Sequence, residues 1–414
     1  MVQHAGRRVV ITGAGVVAPT GIGLPAFWEA TSKGLSGIAP LQRLPSEELA
    51  IKVAGEIRDF VATSYIERKL VNRTDRSTQF TLIATQEAIQ DAQLALENED
   101  AERVGAVIGC SFGGTSFVLQ QFQSMYTRGP RAMSAYTAIA GLQVSNVGQV
   151  SIRHSIQGYS KTAIHDTVSG LDALGTAYRA IQRGEADVII AGGCEEPLEP
   201  TILTAIVHSD QCALGDDTQA YRPFDRRACG MVLAEGAGIC ILEEYERARS
   251  RGAHIYAEVV GYSQTNDAHG MTIPSASGKQ YARAIRLALE EGELLPQEIA
   301  YFSADGRALP TSDTGEAEAL HLVFGSLLER IPVSVPRTTT GHAYAAAGPL
   351  DAITALLALQ QQLIPPTINC EQLDPAYGLN LVRDQARPTT GSAVLLGGRA
   401  TGGSNVVLAI RKVE

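Results

Sequence analysis

The sequence predicts an α/β protein with largely buried sheets. Three observations carry this reading. Short apolar runs of strand type alternate with longer helical patterns. The apolar runs are near-continuous, as in strands covered on both faces. No stretch reads as a long linker or a low-complexity segment.

The strand-like runs, in order, are Val9–Thr12, Val104–Ile108, Val188–Ala191, Gly238–Leu242, Ala393–Leu396 and Val406–Ile410. Each is short, apolar and rich in β-branched residues or alanine. The helical patterns are Thr74–Ala95, Gly170–Arg183, Lys279–Glu291, Glu316–Glu329 and Pro349–Gln362. The 41 glycines imply many tight turns and close backbone approaches. At 414 residues the chain is too long for one small core. The polar stretch YERARSRGAHI follows a strand. A boundary between two intimately packed halves, 1–250 and 251–414, is placed there.

Composition removes several function classes. Apolar residues make up 45% and charged residues 19%, an ordinary globular balance. The net charge is −10 and no basic run is present, which argues against nucleic acid as a partner. No run of about 18 apolar residues exists, so no membrane contact is expected. The opening apolar stretch, VVITGAG, is too short and glycine-rich for a signal peptide, and the cytoplasm is the expected compartment. The six cysteines show no CxxC spacing. Buried free thiols are expected rather than disulfides or zinc ligands. Neither a metal nor a cofactor is expected.

One motif invites a wrong turn. Gly13-Ala14-Gly15-Val16-Val17-Ala18 follows a strand and matches GxGxxA, a dinucleotide fingerprint. That fingerprint needs a helix opening at the glycines. Pro19, Gly21 and Gly23 interrupt any such helix. A strand entering a glycine-rich loop is expected instead.

The segment His165-Asp166-Thr167-Val168-Ser169-Gly170-Leu171-Asp172 carries the functional argument. A strand-like stretch ends, a small polar turn follows, and a helix begins near Val168. A side chain at such an elbow sits at a helix N-terminus, where the dipole favours negative charge. A cysteine there would be reactive. This chain has Thr167.

Here the sequence resembles the β-ketoacyl synthases over essentially its whole length. The match runs through ITGAGVVAPTGIG, ADVIIAGGCEEP, Tyr221-Arg222-Pro223-Phe224-Asp225, Glu235-Gly236-Ala237-Gly238, Thr340-Gly341-His342 and Ala345-Ala346-Ala347-Gly348. The resemblance implies a thiolase-like fold, a layered αβαβα core made of two similar halves. In active synthases an elbow cysteine takes the acyl chain, and two histidines help decarboxylation and enolate stabilisation. Carried over, the cysteine falls on Thr167, a poor nucleophile without a base. The first histidine falls on Asp305, an anion that would oppose an enolate. The second is kept as His342. The lysine five residues before it is replaced by Arg337, which keeps the charge but not the geometry. Arg399-Ala400-Thr401-Gly402-Gly403-Ser404-Asn405 stands where the family has a GFGGTN loop. No catalytic residue is therefore expected.

The pattern is similar to one branch, the chain-length factors of type II polyketide synthases. Gly129-Pro130-Arg131-Ala132-Met133-Ser134-Ala135-Tyr136 and the stretch Asn146–His154 carry that likeness. Those factors usually have glutamine at the elbow, and Thr167 departs from this. The branch implies a heterodimer with an active ketosynthase α subunit, access to acyl carrier protein through that complex, and a tunnel for the growing chain. Thr115, Val118 and Phe122, at i, i+3 and i+7, are the tunnel-gating candidates. Arg131, Met133, Ser134, Tyr136, Asn146 and Gln149 are the dimer-interface candidates.

Other readings stand beside these. The Thr115–Phe122 face could be ordinary core or interface. His342 could be purely structural, Asp305 and Arg307 a local salt bridge, and Thr167 a helix cap. The chain could also be a condensing or decarboxylating homodimer with atypical residues, or an acyl-binding scaffold.

Overall fold

The structure is a computed structural model that describes residues 6–44 and 48–413. Ten strands form its frame: β1 Val9–Ala18, β2 Val104–Gly109, β3 Ser160–Ala163, β4 Val188–Glu195, β5 Gly236–Glu244, β6 Ala257–Asn266, β7 Ile299–Ser303, β8 Pro332–Ser334, β9 Ala393–Arg399 and β10 Ser404–Arg411. The helices that matter most are α1 Arg76–Asp91, α2 Thr115–Arg128, α3 Val144–His154, α4 Ser169–Gln182, α5 Lys279–Glu291, α6 Pro310–Phe324 and α7 Ala347–Gln361.

The strands form one mixed sheet with two equivalent halves. One half runs β1-β5-β4-β2-β3 and the other β6-β10-β9-β7-β8. In each half the first two pairings are antiparallel and the last two parallel. The halves join where β1 meets β6 antiparallel at Val9↔Val259, Val10↔Glu258 and Ile11↔Ala257. Helices α1 and α3 cover the outer face of the first half, and α5, backed by α6, covers that of the second. Helices α4 and α7 lie between the two halves. This is the layered α/β architecture of a thiolase-like fold.

Burial explains the composition of each layer. Ala347–Leu359 of α7 is buried on every side, as expected of a central helix. Helix α5 buries only Tyr281, Ala282, Ala284, Ile285 and Ala288, one face of an outer helix. No helix among the described residues is long and apolar enough to cross a membrane.

Strand β1 runs to Ala18, well past the predicted Thr12, so the GxGxxA glycines lie inside a strand rather than in a loop. A Cβ on Gly13 would meet the Ala88 carbonyl at 2.5 Å, and one on Gly15 the Ala84 carbonyl at 2.0 Å. The glycines let α1 lie directly on the strand. The helix predicted at Glu316–Glu329 starts earlier, at Pro310. Proline in the first turn lacks only an N–H that would have no helical partner.

Candidate functional site

The elbow forms between β3 and α4. Residues Asp166–Val168 make a tight turn, and α4 starts at Ser169. Asp166 takes φ of 51°, the left-handed region that Asp tolerates better than most residues. Its carbonyl accepts from Ser111 Oγ and Ser169 Oγ, each at 2.7 Å, and its carboxylate accepts from the Thr401 N–H at 2.9 Å. These bonds over-determine the turn.

Thr167 is 4% exposed. Its hydroxyl donates to the Arg399 carbonyl at 2.9 Å and accepts from Arg307 Nη2 at 2.6 Å. It makes no helix-cap bond. Arg307 also donates to the Arg399 carbonyl, to Asp305 Oδ2 at 2.9 Å and to Gln211 Oε1 at 2.9 Å. Asp305 Oδ1 accepts from Arg337 Nη1 at 2.9 Å. Arg337 in turn binds Asp351 Oδ2 through Nε at 3.0 Å and through Nη2. The result is a chain of alternating charge: Arg307, Asp305, Arg337, Asp351. All four are buried.

The fold places each member. Asp305 follows β7, and its turn is held by Glu316 of α6, which accepts from the Asp305 and Gly306 N–H groups at 2.9 Å each. Arg337 lies in the turn after β8, and Asp351 projects from α7. Burial works against ionised Asp305, but Arg307, His342 and Arg337 outweigh it and hold the carboxyl well below the ordinary range. Burial opposes the charge on both arginines, and their carboxylate partners outweigh it.

His342 is fully buried, and burial pushes its pKa down to about 4. Nδ1 faces the Tyr344 N–H at 3.2 Å and Nε2 lies 3.0 Å from Arg337 Nη1. The Tyr344 N–H occupies the Nδ1 lone pair, which opposes a second ring proton, and Asp305 Oδ1, 3.9 Å from Nε2, offsets this only in part. The unfolded chain protonates this ring below about 6.5, the folded chain only near 4, so its contribution to stability falls as pH falls. Buried Glu195 and Asp313 act oppositely, since burial raises them to about 7 and about 8. The test is therefore a difference. The stability of the wild type minus that of His342→Gln should fall by about 2 kcal/mol between pH 7.5 and pH 5, measured by urea unfolding. A pH-independent difference would show that the ring is not held neutral.

No base reaches Thr167. Asp305 is taken up by two guanidinium groups, and His342 bonds elsewhere. Arg307 Nη2 instead sits 2.6 Å from the Thr167 hydroxyl. At the elbow the geometry is a buried ion chain around a threonine hydroxyl that has no base beside it.

Residues 6–248 match the family model described as "Beta-ketoacyl synthase, N-terminal domain", and residues 256–371 match that described as "Beta-ketoacyl synthase, C-terminal domain". The chain belongs to the β-ketoacyl synthase family. Among its relatives in this family is the tetracenomycin polyketide synthase ketoacyl synthase beta subunit of Streptomyces glaucescens. That protein is 37% identical over 99% of this chain and 100% of its own length. The 3-oxoacyl-[acyl-carrier-protein] synthase 2 of Staphylococcus aureus is 33% identical over 99% of both chains. Among solved structures, the ishigamide ketosynthase/chain length factor superposes with a TM-score of 0.92. It is 28% identical and covers 99% of this chain and 100% of its own. The relatives thus include both a 3-oxoacyl-[acyl-carrier-protein] synthase and a ketoacyl synthase beta subunit.

Helix α2 buries only Ser116, so its Thr115–Phe122 face is not core. Thr115 and Val118 are half-buried and Phe122 is exposed. Arg131 is exposed, and Met133, Ser134, Tyr136 and Gln149 are half-buried. Arg73 lies 4.6 Å over the Tyr136 ring. Asn146 turns inward, 1% exposed, and accepts from Thr78 Oγ at 2.6 Å.

One member of the ion chain, Asp351, and one neutral partner of it, Gln211, escaped the sequence reading. Asp351 is a lone charge in the apolar run PLDAITALLAL, a signal that a buried partner exists. Gln211 gave no signal at all.

Proposed function

We propose that this chain is the non-condensing, chain-length-determining subunit of a type II polyketide β-ketoacyl-carrier-protein synthase. It pairs with an active ketosynthase, reaches carrier protein through that complex, and shapes the tunnel that takes the growing acyl chain. One observation carries the reading. The positions that hold cysteine and the first histidine in an active synthase hold Thr167 and Asp305, and Arg307 ties them together in a buried ion chain. The beta-subunit relative supports the choice of branch.

The test is acyl labelling of the co-expressed pair. Label from acyl carrier protein is expected on the partner's cysteine alone, and mutation of that cysteine should abolish it. Label on this chain, or condensation by a homodimer of it, would overturn the proposal and favour an atypical synthase.

The tunnel assignment has its own test. Thr115 is half-buried at the start of α2, with its hydroxyl donating to the Phe112 carbonyl at 2.5 Å. A phenylalanine there fills space that threonine leaves open. Thr115→Phe should shift products of the reconstituted pair to shorter chains by mass spectrometry. An unchanged distribution removes this face from the tunnel.

A further inference from the structure

Helix α2 carries the Thr115–Phe122 face, yet little apolar packing holds it. Ser116 is its only buried residue. Among the described residues it packs chiefly on the short helices that follow it, 130–132 and 137–140. Glycines flank it, Gly113 and Gly114 before and Gly129 after. Gly113 and Gly129 take φ of 60° and 89°, and nothing lies within 4 Å of a Cβ built on Gly129. A helix so placed takes its position from a few polar bonds, because no large apolar face fixes it.

Those bonds come from carboxylates. Glu195, which ends β4, accepts from the Ser111 and Phe112 N–H groups at 2.9 Å and 3.1 Å. Asp75, just before α1, accepts from the Phe117 N–H at 3.3 Å. Glu196 accepts from the Ser116 hydroxyl. The first two hold backbone, which any residue would present. The third holds the one side chain that α2 turns inward.

Glu196 is 1% exposed and is itself fixed. Its Oε1 accepts from Arg43 Nη2 at 2.6 Å. The same nitrogen reaches Glu235 Oε2 at 3.1 Å, and Arg43 Nε lies 3.5 Å from Glu56 Oε1. Arg76 takes both oxygens of Glu235, at 2.7 Å and 2.9 Å. An arginine shared among carboxylates that are themselves bound has little freedom to move. A path of polar bonds thus runs from the start of β5 through Glu235, Arg43 and Glu196 to Ser116. Burial raises the Glu196 carboxyl to about 7, against the pull of Arg43 and with the help of Asp75 and Glu235. Charged or neutral, a carboxyl can share a hydrogen with a hydroxyl.

We infer that Glu196 is a positioning residue: through Ser116 it sets where α2 lies, and so how far the Thr115–Phe122 face closes on the acyl chain. It acts through Ser116 and Arg43 and need not touch the chain. The inference rests on the tunnel part of the proposed function.

Products of the reconstituted pair are compared by mass spectrometry for wild type, Glu196→Ala, Ser116→Ala and Glu196→Gln. In each alanine variant the share of the major chain length should fall at least about twofold, with neighbouring lengths gaining, because α2 then samples more than one position. Glu196→Gln keeps an acceptor for Arg43 and a donor for Ser116, so it should return the wild-type distribution. The double alanine variant should be no broader than either single one. Ser116→Ala removes the same bond without disturbing a buried charge, and it carries the test if Glu196→Ala folds poorly. Hydrogen exchange on the chain alone adds a readout that needs no partner. Amides 119–124 should exchange at least about tenfold faster in the alanine variants than in wild type, while those of α4 keep their rate. Unchanged exchange in α2, or equal speeding in α4, would overturn the inference whatever products the pair makes. Unchanged products in both alanine variants, where Thr115→Phe shifts them, would overturn it and leave the tunnel reading standing. If Thr115→Phe also changes nothing, the tunnel reading falls and takes the inference with it.

Discussion

Asp305→Ala is expected to destabilise the chain by about 3–5 kcal/mol. The carboxylate stands between two buried guanidinium groups, bonded to Arg307 Nε and Arg337 Nη1 at 2.9 Å each. Removing it leaves Arg307 with only neutral partners: Gln211, Thr167 and the Arg399 carbonyl. Arg337 keeps Asp351. The loss is thus concentrated on one uncompensated buried cation. Replacing both partners, as Asp305→Leu with Arg307→Met, should recover part of that loss, because no buried charge is left unpaired although the Gln211 and Arg399 acceptors lose a donor. A double-mutant cycle by urea unfolding reads both effects. Additive losses would show that the two side chains do not act as a pair.

Gly170→Ala is expected to cost about 3 kcal/mol or to leave the chain insoluble. Gly170 opens α4 directly under the elbow. A Cβ there would meet the Ala345 carbonyl at 2.1 Å and Pro349 Cγ at 2.5 Å. The same carbonyl would meet a Cβ on Gly193 of β4 at 2.4 Å. Helix, strand and turn therefore touch through backbone, which cannot yield as a flexible side chain can. Gly148→Ala in α3 is the control. Nothing lies within 4 Å of its position, so helix propensity alone should stabilise by up to about 1 kcal/mol. Thermal melts of the two variants should move in opposite directions.

The fold was legible where strands were long and apolar. Val188–Ala191 and Val406–Ile410 each mark the core of a real strand. Strand β3, Ser-Lys-Thr-Ala, was legible only as an unbounded strand-like stretch before the elbow, because only one residue of four is buried and no alternation shows. Strand β6 was hidden by Glu258 and by a polar C-terminal half. The replaced positions of the site were legible because they sit in motifs with fixed spacing. The way they interact was not. Arg307 and Asp305 are two residues apart, but the reach from Arg307 to Thr167 spans 140 positions and exists only once β7 and the elbow meet. The threonine cap expected at Thr167 gave way to that longer contact, since a buried guanidinium and carbonyl need hydrogen-bond partners more than an N-terminal amide does.

The alternating ion chain also constrains how this sequence can change. A single step that restores histidine at 305 strands Arg307 without an anion. A single step that removes Arg307 leaves the Thr167 hydroxyl, the Gln211 amide and the Arg399 carbonyl short of a buried donor. Either path toward a cysteine–histidine–histidine centre passes through an intermediate less stable than both ends. The site behaves as a mutational ratchet. Drift can accumulate around it on the surface and along the Thr115–Phe122 face, while the charged interior holds its present composition by epistasis.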